Sequence, residues 1–262
     1  MATRIIALVN QKGGTGKTTS TISIGAGLSR RDRRVLLIDM DPQASLSYSL
    51  GIEPQEGEPT IYGVLMGKTT AAGAIYRKGY GTEGRAYDVI PASLGLAAAD
   101  LQLEGAEGRE TRLRDALEPL KGRYDYILID AAPGLNLLTL NVLSAAKELF
   151  IPLQAESLSL KGISLLSDTV ELIRARINPD LAVTGVIAVR YSGRKIHSRD
   201  VMDAVRGPYG GAIFKTAIRD NVSIAEAPSY GADIFEYSPR SNGARDYAAL
   251  VDEVIDQERG RL

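Results

Sequence analysis

Gln11-Lys12-Gly13-Gly14-Thr15-Gly16-Lys17-Thr18-Thr19 lies between an apolar run, Ile5-Ile6-Ala7-Leu8-Val9, and a helix-compatible run from Thr18 to Leu28. Strand, glycine loop and helix, in that order, form the setting in which a backbone cradles phosphate. Glycines turn tightly and leave no Cβ between the N–H groups and an anion. The helix that follows points its positive end at the same place. Lys17 is placed to reach terminal phosphates, and the Thr18 hydroxyl to sit on Mg²⁺. The common pattern is G-x-x-x-x-G-K-[ST]; here Gln11 replaces its first glycine and Lys12 follows. If Lys17 serves the nucleotide of its own chain, Lys12 is free to reach across to the phosphates of a partner subunit. The plainer reading of Lys12 is a solvated loop lysine.

The rest of the chain bounds the function. Its 262 residues can form one large α/β domain, and 44% apolar with 24% charged residues is ordinary for a soluble protein. A net charge of −1 gives no global polycation signal, so a nucleic-acid surface has to be local. The absence of cysteine excludes disulfides, thiolate metal sites, iron–sulfur clusters and a cysteine nucleophile. No apolar run approaches the roughly 18 residues of a membrane span, and no secretion leader precedes the first strand. The expectation is a cytoplasmic protein.

Short apolar runs alternate with helical ones. Strands are expected at Ile5–Asn10, Val35–Asp39, Tyr87–Pro91, Tyr126–Asp130, Leu149–Leu153, Leu181–Val189 and Ala212–Ile218. The longer helices are expected at Thr18–Arg31, Leu94–Leu103, Glu110–Leu120, Leu137–Ala146, Leu158–Ile177, Ser198–Arg206 and Gly243–Glu258. Shorter helical pieces are expected at Ala44–Leu50, Thr60–Met66 and Ala71–Tyr76, within or beside a Gly/Thr/Pro-rich excursion or lid from Gly51 to Gly84. Fully apolar strands separated by helices predict an α/β fold: a mostly parallel β-sheet sandwiched by helices. No repeat or linker divides the chain, so residues 1–262 read as a single domain.

In such a sheet the ligand sits beyond the C-terminal strand ends. The second strand ends in Asp39-Met40-Asp41, and the fourth expected strand in Asp130-Ala131-Ala132-Pro133. Asp130, after four apolar residues, fits a Mg²⁺ carboxylate. Asp39 and Asp41 offer a second carboxylate near the metal and one to orient an attacking water; each of the three aspartates also has a plainer reading as a strand-end turn or helix cap.

Lys12 to Thr19 resembles the deviant Walker A loop of the ParA/MinD ATPases. Val35 to Gln43 resembles the family's second motif, and Tyr124 to Asp130 its Walker B strand. Leu137–Asn141, Ile151–Glu156, Glu226–Gly231 and Tyr237–Ala244 resemble ParA/Soj segments, so the likeness spans nearly the whole chain. The resemblance implies a P-loop NTPase fold, ATP and Mg²⁺ as cofactors, and binding by Lys12, Gly13, Gly14, Thr15, Gly16, Lys17, Thr18 and Thr19. Lys12 would contact nucleotide across an ATP-dependent sandwich homodimer and Lys17 the phosphates in cis. Thr18, Asp39 and Asp130 would hold or support the metal, and Asp41 would position the hydrolytic water. It implies non-specific DNA binding on the nucleoid and hydrolysis stimulated by a partner, either a centromere-binding ParB-like protein or a cargo adaptor. A loop beginning at residue 11 leaves no room for an N-terminal helix-turn-helix extension.

The segment Arg190 to Arg245 holds nine Lys/Arg against six Asp/Glu, a net of about +3. Within it Arg194, Lys195, Arg199, Arg219 and Arg240 are candidate DNA contacts, Arg194 by its match to a DNA-contacting arginine of Soj. Arg219-Asp220-Asn221-Val222-Ser223 departs from the Pro-Arg-Asn-Val-Arg common in Soj-like members, so Asp220 and Ser223 stand where basic residues are expected. The acidic last helix disfavours a MinD-like membrane anchor. A competing class is a metabolic ligase on the same fold, against which Lys12 and the segments past residue 220 argue.

Overall fold

The computed structural model describes residues 2–81, 85–154, 160–191, 205–207 and 209–259. The strands are β1 (Arg4–Leu8), β2 (Val35–Met40), β3 (Tyr76–Tyr80), β4 (Arg85–Ile90), β5 (Tyr126–Ala131), β6 (Glu148–Gln154), β7 (Ala182–Tyr191) and β8 (Ile218–Arg219). They form one sheet in the order β3-β4-β2-β5-β1-β6-β7-β8, parallel throughout except where β3 pairs antiparallel with β4. Between them run α1 (Lys17–Ser29), α2 (Ser45–Ser49), α3 (Ile61–Leu65), α4 (Ala99–Gln102), α5 (Arg112–Leu117), α6 (Leu137–Ala145) and α7 (Leu160–Arg176). After β8 come α8 (Val222–Glu226), α9 (Ile234–Tyr237) and α10 (Asn242–Arg259).

Strand side chains alternate between two cores, as a period of two requires. Ile5, Ala7, Leu36, Ile38, Ile127 and Ile129 face α3, α5 and α6. Ile6, Leu8, Val35, Leu37, Tyr126 and Leu128 face α1 and α10. Both faces are covered, which explains why these strands read as unbroken apolar runs. By the same alternation Asp39 and Asp130 fall on the α1 face, directly opposite each other in the β2–β5 register.

Three expectations need correction. The Gly51–Gly84 stretch is not a lid alone: beyond the expected short helix, now α3, it holds the unexpected edge strand β3, so Asp130 lies near the end of the fifth strand, not the fourth. Arg77, Lys78 and Gly79 hid this strand; charged residues are how an exposed sheet edge is kept from pairing. The expected strand Ala212–Ile218 shrinks to Ile218–Arg219, with Ile213 bridging Val186 alone. The N–H groups of Lys215 and Thr216 donate to the Glu253 carboxylate of α10 (2.8 and 2.7 Å) instead of to a strand. The helices expected at Leu94–Leu103 and Glu110–Leu120 are each part 3₁₀ and part α.

Candidate nucleotide site

β1 sits at the middle of the sheet, so the loop at its end is flanked by the ends of β5 and β6. Gly14 and Gly16 adopt the left-handed backbone (φ 72° and 79°) that lets the loop wrap toward α1. A Cβ at Gly13 or Gly14 would meet nothing within 4 Å, so the loop encloses open space of the kind a phosphate fills. The surrounding cleft holds about 620 Å³. Gly13 through Thr19 line it, with Asp41, Pro133, Gln154, Arg190 and Asp220.

The loop is pinned from below. Asn10 donates its side-chain amide to the Pro152 carbonyl (2.8 Å) and accepts the Lys12 N–H (3.0 Å). Gln154, at the end of β6, donates to the Gly14 carbonyl. The Lys12 carbonyl accepts from the Thr15 hydroxyl and from Lys17 Nζ, both at 3.3 Å. Sequence reasoning did not assign roles to Asn10 or Gln154; an Asn just ahead of a glycine loop is the turn signal that marks the first.

The two lysines differ sharply. Lys17 is 7% exposed. Burial lowers its pKa, and Asp130 and Asp41 oppose that shift. Lys12 is exposed, and its ammonium makes no hydrogen bond or ion pair among the described residues.

The carboxylates also separate by environment. Asp130 is fully buried; Oδ2 accepts the Thr18 hydroxyl at 2.6 Å, while Oδ1 has no partner. Burial, then the adjacent Asp39, push its pKa well up. An orphaned buried oxygen beside a threonine hydroxyl is a poor arrangement by itself and a good one for a hard cation. These residues therefore fit Mg²⁺. Asp39 is equally buried, but both its oxygens are occupied: Oδ2 by the Ser47 N–H (2.9 Å) and hydroxyl (2.7 Å), Oδ1 by the Asp41 N–H (3.1 Å). Its contacts here are those of a strand-end anchor, the turn role that the sequence left open beside metal support. Asp41 is half-buried on the cleft wall, with Oδ1 accepting the Gln43 N–H at 2.9 Å.

The basic segment is less unified. Arg194, Lys195, Arg199, the lone His197 and most of the helix expected at Ser198–Arg206 lie outside the described residues. Arg219 grips Asp246 with a forked pair of contacts, the shortest 2.7 Å. Arg240 is exposed. Asp220 meets Arg190 across the cleft rim at 3.5 Å, and the Ser223 N–H caps onto Asn221.

Over residues 3–183 the chain matches a family described as AAA domain. It is 41% identical over 260 residues to the chromosome partitioning protein ParA of Caulobacter vibrioides, covering 98% of this chain and 96% of that one. The sporulation initiation inhibitor protein Soj of Bacillus subtilis is 41% identical over 251 residues, 96% of this chain and 98% of its own. The chain belongs to the ParA/Soj family. The fold also superposes on a solved structure of cobyrinic acid a,c-diamide synthase from Mycobacterium smegmatis. That structure, bound to an ATP analog and magnesium, has a TM-score of 0.85, 35% identity and coverage of 99% and 97%. The terminal helix of this ParA/Soj member buries Tyr247, Leu250, Val251 and Val254 in the α1-side core. Among the described residues no helix is long and apolar enough to cross a membrane.

Proposed function

We propose that this chain is a Mg²⁺-dependent ATPase that dimerises around ATP, binds DNA non-specifically and segregates chromosome or plasmid DNA in the cytoplasm, over the nucleoid. The observation that carries this reading is the contrast within one loop. Lys17 is buried against its own loop, while Lys12 is held firmly by its backbone and leaves its ammonium free. A cation presented this way is suited to a phosphate that another subunit holds. Glycine N–H groups and Lys17 bind and orient the triphosphate, and Thr18 and Asp130 hold the metal. Bound Mg²⁺ would supply neutralisation of the charge that builds on the phosphate oxygens. Asp41, on the cleft wall, accepts a hydrogen bond from the attacking water and orients it.

Lys12→Ala tests the reading. The variant is expected to bind ATP within a few-fold of the wild type while failing to form the ATP-dependent dimer in light scattering. A dimer that forms normally would remove Lys12 from the partner's site. DNA retention is expected to rise when ATP replaces ADP, because a dimer doubles a weak basic surface. Hydrolysis then resets the dimer, speeded by a centromere-binding ParB-like partner; an adaptor on a protein cargo would use the same cycle.

The synthase neighbour favours a second reading, ATP-dependent ligation of a small metabolite. ATP turnover that proceeds without metabolite and rises with DNA separates the two. Turnover that requires a small carboxylic substrate would favour the ligase.

A further inference from the structure

Asp41 is placed by a short turn after β2. Its N–H donates to Asp39 Oδ1 (3.1 Å), its carbonyl accepts the Ala44 N–H (2.8 Å), and its Oδ1 accepts the Gln43 N–H (2.9 Å). Asp41 Oδ2 makes no hydrogen bond or ion pair among the described residues, which leaves it for a water. The turn ends at Ala44, which holds a left-handed backbone (φ 51°, ψ 35°) although it carries a Cβ. Such a residue relaxes unless its surroundings hold it.

What holds it is Ser47, three residues on in α2. Its N–H and its hydroxyl both donate to Asp39 Oδ2 (2.9 and 2.7 Å), and the hydroxyl oxygen accepts the Ala92 N–H (3.0 Å). Ala92 follows the end of β4, the strand that pairs with β2. One hydroxyl therefore ties the ends of two neighbouring strands and fixes the carboxylate that receives the Asp41 N–H. Ser47, Asp39 and Ala92 are all fully buried, so water cannot stand in for the hydroxyl. Ser47 is not among the residues that line the nucleotide cleft. The contacts that pin the glycine loop, made by Asn10, Gln154 and the Lys12 carbonyl, do not pass through it.

We propose that Ser47 is a positioning residue for ATP hydrolysis: through Asp39 it sets the turn that carries Asp41 to the attacking water. The proposal rests on the water-orienting role given to Asp41 above. Displacement of a positioned group by a fraction of an ångström is enough to slow a reaction that depends on alignment. Nucleotide binding is held by the loop wall and should not depend on Ser47. The hydroxyl thus serves turnover rather than affinity, which separates it from a residue that only ties β2 to β4.

The test places Ser47→Ala in the full chain and in the full chain carrying Asp41→Ala. It reads single-turnover hydrolysis at saturating ATP and Mg²⁺, ATP affinity by calorimetry, and amide hydrogen exchange over residues 39–47 without nucleotide. In the otherwise wild-type chain turnover should fall about tenfold, with ATP affinity within about twofold. Exchange over 39–47 should quicken, because the Asp41 and Ser47 N–H groups lose a fixed acceptor. In the Asp41→Ala chain the same substitution should cost less than about twofold more, since residues that act as one unit do not add. Ser47→Cys keeps the side chain's shape but has only a weak S–H donor, and it should repeat the pattern if Ser47→Ala does not fold. Wild-type turnover or unchanged exchange in these variants overturns the proposal. So does an equal loss of turnover in both backgrounds, or a loss of ATP affinity as large as the loss of turnover. Wild-type turnover by Asp41→Ala alone would instead remove the water-orienting reading, and this proposal with it.

Discussion

The two walls of the nucleotide cleft are built to different standards. On the loop wall almost every polar group is fixed. The backbone of Lys12 is held at both its N–H and its carbonyl, Thr18 is tied to Asp130, and Asp39 takes three hydrogen bonds. Most of these groups are buried, so moving one strands a partner at a cost of about 1–3 kcal/mol. On the β7–β8 wall the contacts are exposed. Arg190 and Asp220 are 63% and 77% exposed at 3.5 Å, and such pairs contribute about 0–1 kcal/mol. A fixed wall suits chemistry that tolerates little displacement. A loosely tied wall suits a surface whose partners change. Asp220, which stands where the family resemblance leads one to expect a basic residue, lies on this loose wall, where a substitution costs the fold little.

The comparison breaks most readily at Lys17. Lys17→Ala is expected to weaken ATP binding at least 100-fold by titration calorimetry, since the buried ammonium has no substitute on the loop wall. Retained affinity would mean that the glycine N–H groups suffice. Asp41→Ala should act differently. Turnover should fall about 10²- to 10⁴-fold in a phosphate-release assay while ATP binding persists, the signature of a group that places water rather than nucleotide.

These two positions were readable from sequence because a phosphate loop and a strand-end aspartate are local signals. The fold was readable for a similar reason: strands buried on both faces leave long apolar runs such as Tyr126-Ile127-Leu128-Ile129. What escaped was set by distant contacts. β3 carries Arg77 and Lys78 because it is an edge. Residues near Lys215 leave the sheet because Glu253, on the last helix, takes their N–H groups. Asp39 and Asp130 looked alike as strand ends, and only Ser47, eight residues on, shows that one of them is already engaged.

The loose wall can be sharpened at Arg219. Its guanidinium is 52% exposed but held by Asp246, which is 10% exposed. Asp246→Asn keeps an acceptor for the Arg219 N–H and removes the charge that holds the side chain. If Arg219 belongs to the DNA surface, ATP-dependent DNA retention should rise about two- to five-fold, the equivalent of an exposed pair worth under ~1 kcal/mol. No change in a filter-binding assay would leave Arg219 as a clasp between β8 and α10 only.

The fixed wall can be tested through pH. Burial raises Asp39 from 3.8 to about 6, against the lowering by its bonds to Ser47 and Asp41. The folded-state pKa therefore lies above the unfolded one, and the folded protein binds the extra proton. By linkage the stabilising share of neutral Asp39 is full below about pH 4 and is lost as pH rises through about 6. A shift of this size corresponds to roughly 1–3 kcal/mol in the nucleotide-free protein. Asp39→Asn removes the titration while keeping an oxygen for Ser47, though its amide faces the Asp41 N–H and adds a constant penalty. The informative quantity is then the change with pH, not the offset. From pH 4 to pH 7.5 the urea midpoint of the wild type should fall relative to that of the variant. A difference that stays flat across this range would mean that the three hydrogen bonds fully offset burial, and that the loop wall holds an ionised Asp39 without strain.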